Sequence, residues 1–521
     1  MLTREYDSLA GAGGVKDVSR QLAEALVRLE KKVTVLLPCY GFMNPASLGF
    51  VQQPTVFSVD MNYAAEDRRE EVTIWQKTLH GVTVLLVDAE RYREKQSVYT
   101  YTEKDEERNP YHVKGNGHFD YFAMNVLLQK AALDLMILSE EKPDIIHCQD
   151  GHTAILPALL REGPVYRHYF TATAAVVTIH NAGHGHHQEV RDLPFARAVT
   201  GLPRDLIQNN LLDGAFDPFL AASSFAVLNT VSENYARELR ETDDDALTGW
   251  LGHRLMARGI RLEGITNGFN AEDFDTTRPA QLGLAASYDP AAGDLEGKKT
   301  CRQELFRLLA EESPENIKRF GSLTKDSGKP LFTLIGRLTA QKGGDILLPA
   351  LAALLQTDSA FQVLILGSGT KDFEEKLVRL AENKKHAGRL CLLIGYDVQL
   401  ANRIYAAGDF FLIPSRYEPC GLTDYIAQLA GSLPVVHHIG GLLKVEDGVT
   451  GFAFSEYSPE SLIGAMERAI TVFRKSPAKI LAMQEAAAKR VKQSCTWDRV
   501  VPRYLELYQK ARETLGKRQK K

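Results

Sequence analysis

The chain has 521 residues, with 62 Lys or Arg against 66 Asp or Glu, so its formal net charge is −4. Hydrophobic residues make up 44% and charged residues 25%, which is typical of globular proteins and excludes a chain that is disordered, collagen-like or coiled-coil throughout. The near-neutral balance argues against broad nucleic-acid binding, because neutralising phosphates requires a basic surface. At about 150 residues per domain, the length allows two to four domains.

The cysteines and the hydropathy of the chain indicate the cellular compartment in which the protein is expected. The six cysteines are scattered and form no Cys-x-x-Cys pair, so we expect neither a disulfide framework nor a zinc site, and a reducing environment. No apolar run approaches the ~20 residues of a membrane-spanning helix. The first residues, MLTREYDSLAGAGG, lack the basic and apolar regions of a signal peptide. The sequence therefore predicts a cytoplasmic protein with no membrane partner.

Short apolar runs rich in β-branched residues alternate with helical patterns along the chain. Such runs are typical of strands in parallel sheets, which are covered on both faces. They lie at residues 32–38, 144–147, 174–180, 331–336, 362–366 and 410–414. An amphipathic helix is predicted after the first glycines by the near-four spacing of Val18, Leu22, Leu26 and Leu29. The alternation predicts an α/β fold.

The strand pattern pauses between about residues 270 and 329, in a stretch rich in Ala, Gly, Asp and Pro, and restarts at Leu331. We interpret this pause as the start of a second domain. The predicted domains are residues 1–268 and 269–496, joined near residues 267–274. Residues 497–521 then predict an amphipathic helix, about Trp497 to Glu513, and a solvated basic tail containing Lys517, Arg518, Lys520 and Lys521.

The first candidate site is the glycine-rich stretch AGAGGVKDV at residues 10–18. Glycines before a helix let the backbone approach an anion, while the helix N-terminus offers free N–H groups. The spacing is not that of a dinucleotide fingerprint, so a tight turn is an equal alternative to a phosphate or sugar cradle. The strand expected before this loop is nearly missing. Only residues 1–3 precede it, so either the first strand is very short or the chain starts late.

Histidines follow two of the predicted strands. His152 comes just after the strand ending near His147, at the start of the next helix, where open α/β sheets place ligands. A structural histidine that caps the helix is the alternative. Four more histidines follow the strand at 174–180. They could bind metal, but no carboxylate accompanies them at helical spacing, and we expect no metal there; they are His180, His184, His186 and His187.

The stretch LFTLIGRLTAQKGG places Arg337 at the end of a strand and Lys342 just before two glycines and a helix. A guanidinium and an ammonium together can stabilise the charge that develops on a diphosphate leaving group. A surface pair of cations is the alternative, which the strand-to-helix context disfavours.

A second stretch, FFLIPSRYEPCGLTDYIAQL, places Glu418 after a buried strand. Gly421, Leu422 and Thr423 then open a helix, whose free N–H groups can hold phosphate oxygens while Glu418 accepts sugar hydroxyls. Upstream, Tyr396 follows a short strand and is placed to stack on a flat ring. A core tyrosine is the ordinary alternative.

These motifs together resemble one family. RLTAQKGG, GYD, RIYAAGDFFLIPSRYEPCGLT, VVHHIGG, TIHN and QDGH resemble, in the same order, those of bacterial glycogen and plant starch synthases. LNTVSENYARE and ITNGFN are similar to that family's connecting segments. The likeness covers nearly the whole chain and is most specific in its C-terminal half. It implies a GT-B fold, in which two Rossmann-like domains face each other across the active-site cleft and the last helix crosses back to the first domain.

The resemblance also implies an activity. Such enzymes are retaining glucosyltransferases that move glucose from ADP-glucose or UDP-glucose to the non-reducing end of an α-1,4-glucan primer such as glycogen, without a metal or other cofactor. No covalent nucleophile is evident, and the family's usual mechanism is a front-face displacement. Domain closure would exclude the water that otherwise hydrolyses the donor.

Roles carry over position by position. Arg337 and Lys342 would neutralise the diphosphate, and the amides of Gly421, Leu422 and Thr423 would hold its distal phosphate. The other implied positions are Glu418 on the glucose hydroxyls, Tyr396 on the base, His152 along the reacting face of the sugar, Asp17 with Gly13 and Gly14 at the junction of donor and acceptor, and Asn267 near the hinge. The first domain would then bind the glucan and the second the nucleotide sugar.

Several positions depart from the family pattern. Its Lys-Thr-Gly-Gly-Leu is here GAGGV, so the lysine is replaced by Gly11, and a second family lysine is replaced by Ala221. The family's Asp-Trp-His carries Gly151 in place of Trp, the His two positions earlier is Gln149, and a second Glu found in related enzymes is Ile426. These departures leave two alternatives open. One is a related GT-B transferase with a different donor or acceptor, and the other is a catalytically weak, nucleotide- or glucan-binding regulatory paralogue.

Overall fold

The computed structural model describes residues 1–63, 66–311, 316–325, 328–357 and 361–519. The chain divides into two compact units, residues 1–268 together with the segment from Trp497 onward, and residues 269–496. Each unit is a layered α/β structure built on a largely parallel sheet. The predicted α/β class is therefore confirmed. Lys520 and Lys521 of the predicted basic tail lie outside the described residues.

Among its described residues, the first unit has ten strands and eleven α-helices before residue 268. Its strands are β1 Thr34–Pro38, β2 Val51–Asp60, β3 Arg69–Leu79, β4 Val82–Asp88, β5 Ile145–Gln149, β6 Ala174–Ile179, β7 Leu211–Leu212, β8 Ala215–Phe216, β9 Val227–Thr230 and β10 Glu263–Gly264. Its helices are α1 Val15–Arg28, α2 Glu90–Arg93, α3 Glu103–Arg108, α4 Tyr121–Leu138, α5 Leu156–Glu162, α6 Tyr166–Tyr169, α7 Leu193–Thr200, α8 Arg204–Asn209, α9 Pro218–Ser223, α10 Glu233–Glu241 and α11 Leu251–Ala257.

The first three residues complete the sheet of this unit. Strands pair in the orders β2-β3-β4-β1 and β5-β6-β9-β10, and Leu2 bridges in parallel to both Leu36 of β1 and Cys148 of β5. The Leu2 amide donates to the His147 carbonyl at 2.9 Å, and the Thr3 amide donates to the Leu36 carbonyl at 3.1 Å. The strand expected before the glycine loop is therefore present in the centre of the sheet, although it is only about three residues long.

Helix α4 is apolar enough to satisfy the length and hydropathy of a membrane span, which the sequence analysis did not anticipate. In the structure, 72% of its residues are buried within the protein, and it contacts β1, β2, β4, α5 and α7. A helix that is hydrophobic all round suits the centre of a folded core as well as it suits a bilayer.

Where the structure describes it, the second unit has seven strands and eight α-helices. The strands are β11 Lys318–Leu323, β12 Leu331–Ile335, β13 Gln362–Gly367, β14 Arg389–Ile394, β15 Phe410–Ile413, β16 Leu433–His437 and β17 Phe452–Phe454. The helices are α12 Pro279–Leu282, α13 Glu296–Ala310, α14 Gly344–Thr357, α15 Lys371–Ala381, α16 Val398–Ala407, α17 Thr423–Leu429, α18 Pro459–Lys475 and α19 Pro477–Ser494. The sheet order is β11-β14-β13-β12-β15-β16-β17.

Six strands of this sheet run parallel and are buried on both faces, which explains why apolar runs located them in the sequence. The expected pause at 270–329 is wrong in part, because it contains α13 and β11. Helix α13 is mostly polar and buries only a narrow stripe, which includes Cys301 and Leu305. Strand β11 is an antiparallel edge strand with no fully buried residue, so neither element produces an apolar run.

The last helix, α20 Trp497–Gln519, returns to the first unit, where it packs on α1 and β6. Trp497 is buried, and its indole N–H donates to the Gln21 side chain at 2.8 Å. The Tyr508 hydroxyl lies 2.9 Å from Nδ1 of His147. The predicted amphipathic face is confirmed at Val501 and Tyr504, which are both buried, and the helix continues six residues beyond the expected end at Glu513.

Replacing Trp497 by Ala removes this anchor. We expect the free energy of unfolding to fall by about 3–5 kcal/mol, the usual cost of truncating a buried Trp. Urea unfolding followed by circular dichroism measures the change, and the exposed neighbour Arg499→Ala is the matched control. Equal stability of the two variants would contradict the packing role of Trp497.

Candidate active site

In the second unit, loops that are distant in sequence meet at the carboxyl edge of the sheet. Strand β12 pairs in parallel with β15, and β15 with β16, so the loops that follow these three strands are neighbours. The Arg416 amide donates to the Gln341 carbonyl at 2.9 Å, and the Gly441 amide donates to the Glu418 carbonyl at 2.9 Å. This edge is where open α/β sheets place ligands.

Lys342 and Glu418 form an ion pair across two of these loops. The Lys342 ammonium lies 2.6 Å from Oε2 of Glu418, and the Ser415 hydroxyl donates to the same oxygen at 2.9 Å. Burial of the Glu418 carboxyl opposes ionisation, but Lys342 and Ser415 outweigh it and lower its pKa. Glu418 is therefore ionised at neutral pH, and the two residues that the sequence singled out separately are in contact.

Arg337 lies at the start of the loop that follows β12. Its side chain is exposed, and its Nη2 atom donates to Oε1 of Gln341 at 3.4 Å. Arg337 and Lys342 line the same small crevice of the second unit. Gly343 has φ +83°, and a Cβ atom there would lie 2.0 Å from the Pro414 carbonyl oxygen. Only glycine fits this close approach, which holds the loop of Lys342 against the loop of Glu418.

The glycine turn after Glu418 is held by a buried ion pair that the sequence did not predict. The Lys444 ammonium lies 3.2 Å from Asp424 Oδ1 and donates to the carbonyl oxygens of Cys420, at 2.7 Å, and Gly421. Burial raises the pKa of Asp424 to about 6 against the effect of Lys444. With its carbonyls turned to Lys444, the turn leads into α17, whose start has no side-chain cap among the described residues. Leu422 and Thr423 are half-buried at this start.

Tyr396 follows β14 at the same edge of the sheet. Its ring is 64% exposed, so the alternative of a core tyrosine is wrong. Gly395 before it has φ +137°, and a Cβ there would lie 2.5 Å from the Asn316 carbonyl oxygen. The second unit therefore places every residue predicted in it along one edge.

In the first unit, a carboxylate of the chain itself occupies the glycine loop. The amides of Ala12 and Gly13 both donate to Glu5 Oε2, at 2.6 and 2.9 Å. Gly14 is the N-cap of α1, and Asp17, in the first turn, pairs with Lys16 at 2.7 Å. Because Glu5 already accepts the hydrogen bonds of these two amides, the tight-turn interpretation accounts for the loop without a phosphate cradle.

His152 lies in a single 3-10 turn, Gly151–Thr153, rather than at the start of a helix as expected, since α5 begins only at Leu156. The ring stacks on Tyr99, with centroids 4.9 Å apart. Burial, with a smaller effect of Arg4, lowers the pKa of His152 well below its usual value, so the ring is neutral. Its carbonyl oxygen accepts a hydrogen bond from the Gln129 side chain at 3.2 Å.

Tyr99 links His152 to the glycine loop, because its hydroxyl donates to Glu5 Oε1 at 2.5 Å. Arg4 lies 5.3 Å from the ring centroid of Tyr99 and donates to the Tyr40 hydroxyl at 2.9 Å. Isolated residues such as these carry no spacing signal, so sequence reasoning missed them. Their contacts depend on the central position of residues 1–5 in the sheet.

Asn267 lies just after β10 and is buried, and its Oδ1 atom has no hydrogen-bond partner among the described residues. Among the described residues, no hydrogen bond joins Asn267 to His152 or Tyr99. A buried amide oxygen without a partner is costly, and this cost is a structural sign that the position has a special role.

His180 and His187, the first and last of the four clustered histidines, are both buried. His187 places its Nδ1 2.6 Å from Asp217 and its Nε2 2.6 Å from the Ala182 carbonyl oxygen, while His180 lies 2.6 Å from Gln149. No group of three potential metal ligands occurs among the described residues.

Comparisons with known proteins agree along the whole chain. The family model "Starch synthase catalytic domain" matches residues 1–253, and "Glycosyl transferases group 1" matches residues 329–471. The glycogen synthase of Syntrophotalea carbinolica is 31% identical over 526 residues, covering 98% of each chain. Glycogen synthase 2 of Geobacter sulfurreducens is 31% identical over 99% of each. The chain belongs to the glycogen synthase family.

Solved structures agree with this family membership. The catalytic domain of starch synthase IV from Arabidopsis thaliana, bound to ADP and acarbose, matches with a TM-score of 0.81 and 25% identity over 98% of each chain. Sucrose-phosphate synthase from Thermosynechococcus elongatus matches with a TM-score of 0.57 and 16% identity, over 98% of this chain and 97% of that one, which supports the fold alone. The GT-B fold and a glycosyltransferase activity are thus confirmed for this glycogen synthase family member.

One departure from the family pattern has a structural explanation. A Cβ atom at Gly151 would lie 2.5 Å from the carbonyl oxygen of His187 and 2.8 Å from that of His186. The backbone of the histidine-rich loop therefore fills the space beside Gly151, the position at which the family pattern described above has Trp.

The pKa of His187 makes this loop sensitive to pH. Burial opposes charging of the ring, but Asp217 and the Ala182 carbonyl outweigh it and raise its pKa from 6.5 to about 9. A raised pKa contributes stability that is complete below pH 6.5 and is lost as the pH rises through 9. We expect the free energy of unfolding to fall by up to about 3 kcal/mol across this window.

Urea unfolding at several pH values between 6 and 9.5 measures this loss. Asp217→Asn is the matched variant, because the amide retains the oxygen that caps α9 at the Leu220 amide but no longer stabilises a charged ring. An identical pH dependence in the wild type and this variant would contradict the assignment.

Proposed function

We propose that this family member transfers glucose, with retention of configuration, from ADP-glucose or UDP-glucose to the non-reducing end of an α-1,4-glucan primer such as glycogen. The observation that carries the proposal is the Lys342–Glu418 pair beside the Gly421 turn, at the carboxyl edge of the second sheet. Family membership supports the reaction class, and the structure of starch synthase IV bound to ADP and acarbose supports the substrate classes.

Charge on the second unit suits a departing diphosphate. Lys342 and Arg337 carry positive charge beside one crevice, and preorganised cations stabilise negative charge that develops in a transition state. The amides of Gly421, Leu422 and Thr423, at the start of α17, would hold the distal phosphate. The exposed ring of Tyr396 would stack on the base. Because stacking does not distinguish adenine from uracil, both ADP-glucose and UDP-glucose are proposed as donors.

The two oxygens of the Glu418 carboxylate would have different roles. Lys342 and Ser415 both bond to Oε2, so Oε1 would accept hydrogen bonds from the glucose hydroxyls. A carboxylate that is already ionised and fixed on one side is preorganised to orient the sugar. In the first unit, neutral His152 would lie along the reacting face of the sugar, with Asp17, Gly13 and Gly14 at the junction of donor and acceptor and Asn267 near the hinge.

We propose no metal or other cofactor for this reaction. The chain's own cations would supply the positive charge that a metal supplies elsewhere. The first unit would bind the glucan and the second the nucleotide sugar.

Replacing Lys342 by Ala should leave the fold intact, because its side chain is 31% exposed. Turnover should fall by about 10²–10³-fold, the usual cost of one preorganised charge contact in a transition state. Steady-state glucan extension measures the loss, and Lys371→Ala, an exposed lysine of the same unit, is the control. Near-normal extension by the Lys342 variant would refute the diphosphate assignment.

The substrates are tested by supplying ADP-glucose and UDP-glucose separately with a glycogen primer, while nucleotide release and chain growth are followed. Growth with either donor is the expected result. Nucleotide release without growth would instead favour a different acceptor, an alternative favoured by the replacement of family residues at Gly11, Gly151 and Ala221. If neither nucleotide release nor chain growth occurs with either donor, the proposal is contradicted and a regulatory paralogue is favoured.

A further inference from the structure

The side chain of Lys16 occupies the space beside Gly11. A Cβ atom built on Gly11 would lie 2.3 Å from Cδ of Lys16 and 3.0 Å from its Cβ and Cγ. Non-bonded carbons do not approach so closely. A side chain at position 11 and the present side chain of Lys16 therefore exclude each other. The family pattern described above has lysine at position 11, and in this chain the side chain of a different lysine, Lys16, fills the space beside that position.

The Lys16 ammonium is fixed by two carboxylates. It lies 2.9 Å from Asp7 Oδ1 and 2.7 Å from Asp17 Oδ1. Asp7 is held in turn by Arg20, whose Nε donates to its second oxygen at 3.1 Å. The Lys16 side chain remains 33% exposed. A lysine at the surface without such partners samples many rotamers, whereas this one is held in one position.

A cavity of about 420 Å³ in the first unit is lined by Lys16 and Gly11. Its volume falls within the roughly 300–1,000 Å³ of small-molecule sites. The remaining lining combines polar groups with an aromatic ring, a combination that suits a sugar: Ser8, Gln96, Ser97 and Phe42, with the apolar Leu9, Ala10 and Val98.

The charges around Lys16 favour a neutral ligand over a phosphate. Asp7 and Asp17 take two of the three ammonium hydrogens, and Glu5 already occupies the amides of Ala12 and Gly13. An incoming phosphate would meet these carboxylates at short range, where like charges repel. A hydroxyl would accept the third hydrogen of Lys16 without that cost.

We propose that Lys16 replaces, from the first turn of α1, the lysine that the family carries at position 11, and that it donates a hydrogen bond to a hydroxyl of the sugar substrate. The inference rests on the proposed function. It makes Lys16 a substrate-binding residue, and it explains how the glycine loop can lack a lysine at position 11 in an active enzyme.

Lys16→Met tests the contact, because it keeps the length of the side chain and removes the charge. We expect kcat/KM for glucan extension to fall about 30-fold, the value of one hydrogen bond from a charged donor, while the affinity for ADP alone, measured as product inhibition, stays within about twofold of the wild type. Lys32→Met, an exposed lysine of the same unit, is the control. An undiminished kcat/KM overturns the inference, and an ADP affinity that falls by the same factor overturns the assignment to the sugar.

The shared space is tested by moving the lysine. Gly11→Lys alone should lower the melting temperature, whereas Gly11→Lys with Lys16→Ala should be as stable as Lys16→Ala and recover at least about tenfold of its lost kcat/KM. Absence of recovery, or equal destabilisation in both backgrounds, overturns the inference. A wild-type chain that is silent with both nucleotide sugars refutes the proposed function itself, whereas an active wild type with an undiminished Lys16→Met refutes only the role of Lys16.

Discussion

The parallel pairing of β12, β15 and β16 is the constraint on which the second unit depends. Parallel neighbours bring their carboxyl ends to one edge, so residues 76 positions apart in sequence, Lys342 and Glu418, come within 2.6 Å. Close approaches at glycine tighten this edge further. Gly441 is an example, since a Cβ there would lie 2.0 Å from the Cys420 carbonyl oxygen. The chemistry of the site follows from strand order first and from side chains second.

The first unit is organised by buried charge rather than by loop convergence alone. Glu5 and Arg4 stand side by side near the centre of the sheet, and each is almost fully buried. Glu5 closes the glycine loop through two amides, and Tyr99 connects that carboxylate to His152. Buried charges persist only where hydrogen bonds satisfy them. Here the same hydrogen bonds fix the positions of the glycine loop and of His152, which we propose to contact the substrate.

The sequence predicted the parts of the fold whose physics is local. Buried parallel strands are continuous apolar runs, so the predicted ends of β5, β6, β12, β13 and β15 lie within two residues of the observed ends. Helix α13 and strand β11 escaped, because one exposes most of its surface and the other lies at a sheet edge. Amphipathic spacing predicted α20 and the residues it buries, but not the end of that helix.

The candidate site shows the same division. Arg337, Lys342, Glu418 and the Gly421 turn were found because each follows a strand within a recognisable motif. The Lys444–Asp424 pair and the Glu5–Tyr99 link were not found, because their partners are joined only in three dimensions. The contact between Lys16 and the space beside Gly11 was not found for the same reason. A single sequence does not show that a side chain at position 11 would occupy the volume that Lys16 fills.

The discontinuity of the first unit has a consequence for biosynthesis. Its final helix is separated from the remainder by the whole of residues 269–496, which a ribosome needs about ten seconds or more to translate. During that interval the surfaces of α1 and β6 that Trp497 and Tyr504 later cover are exposed on an otherwise complete sheet. The nascent chain thus exposes this apolar patch until α20 has been synthesised and covers it.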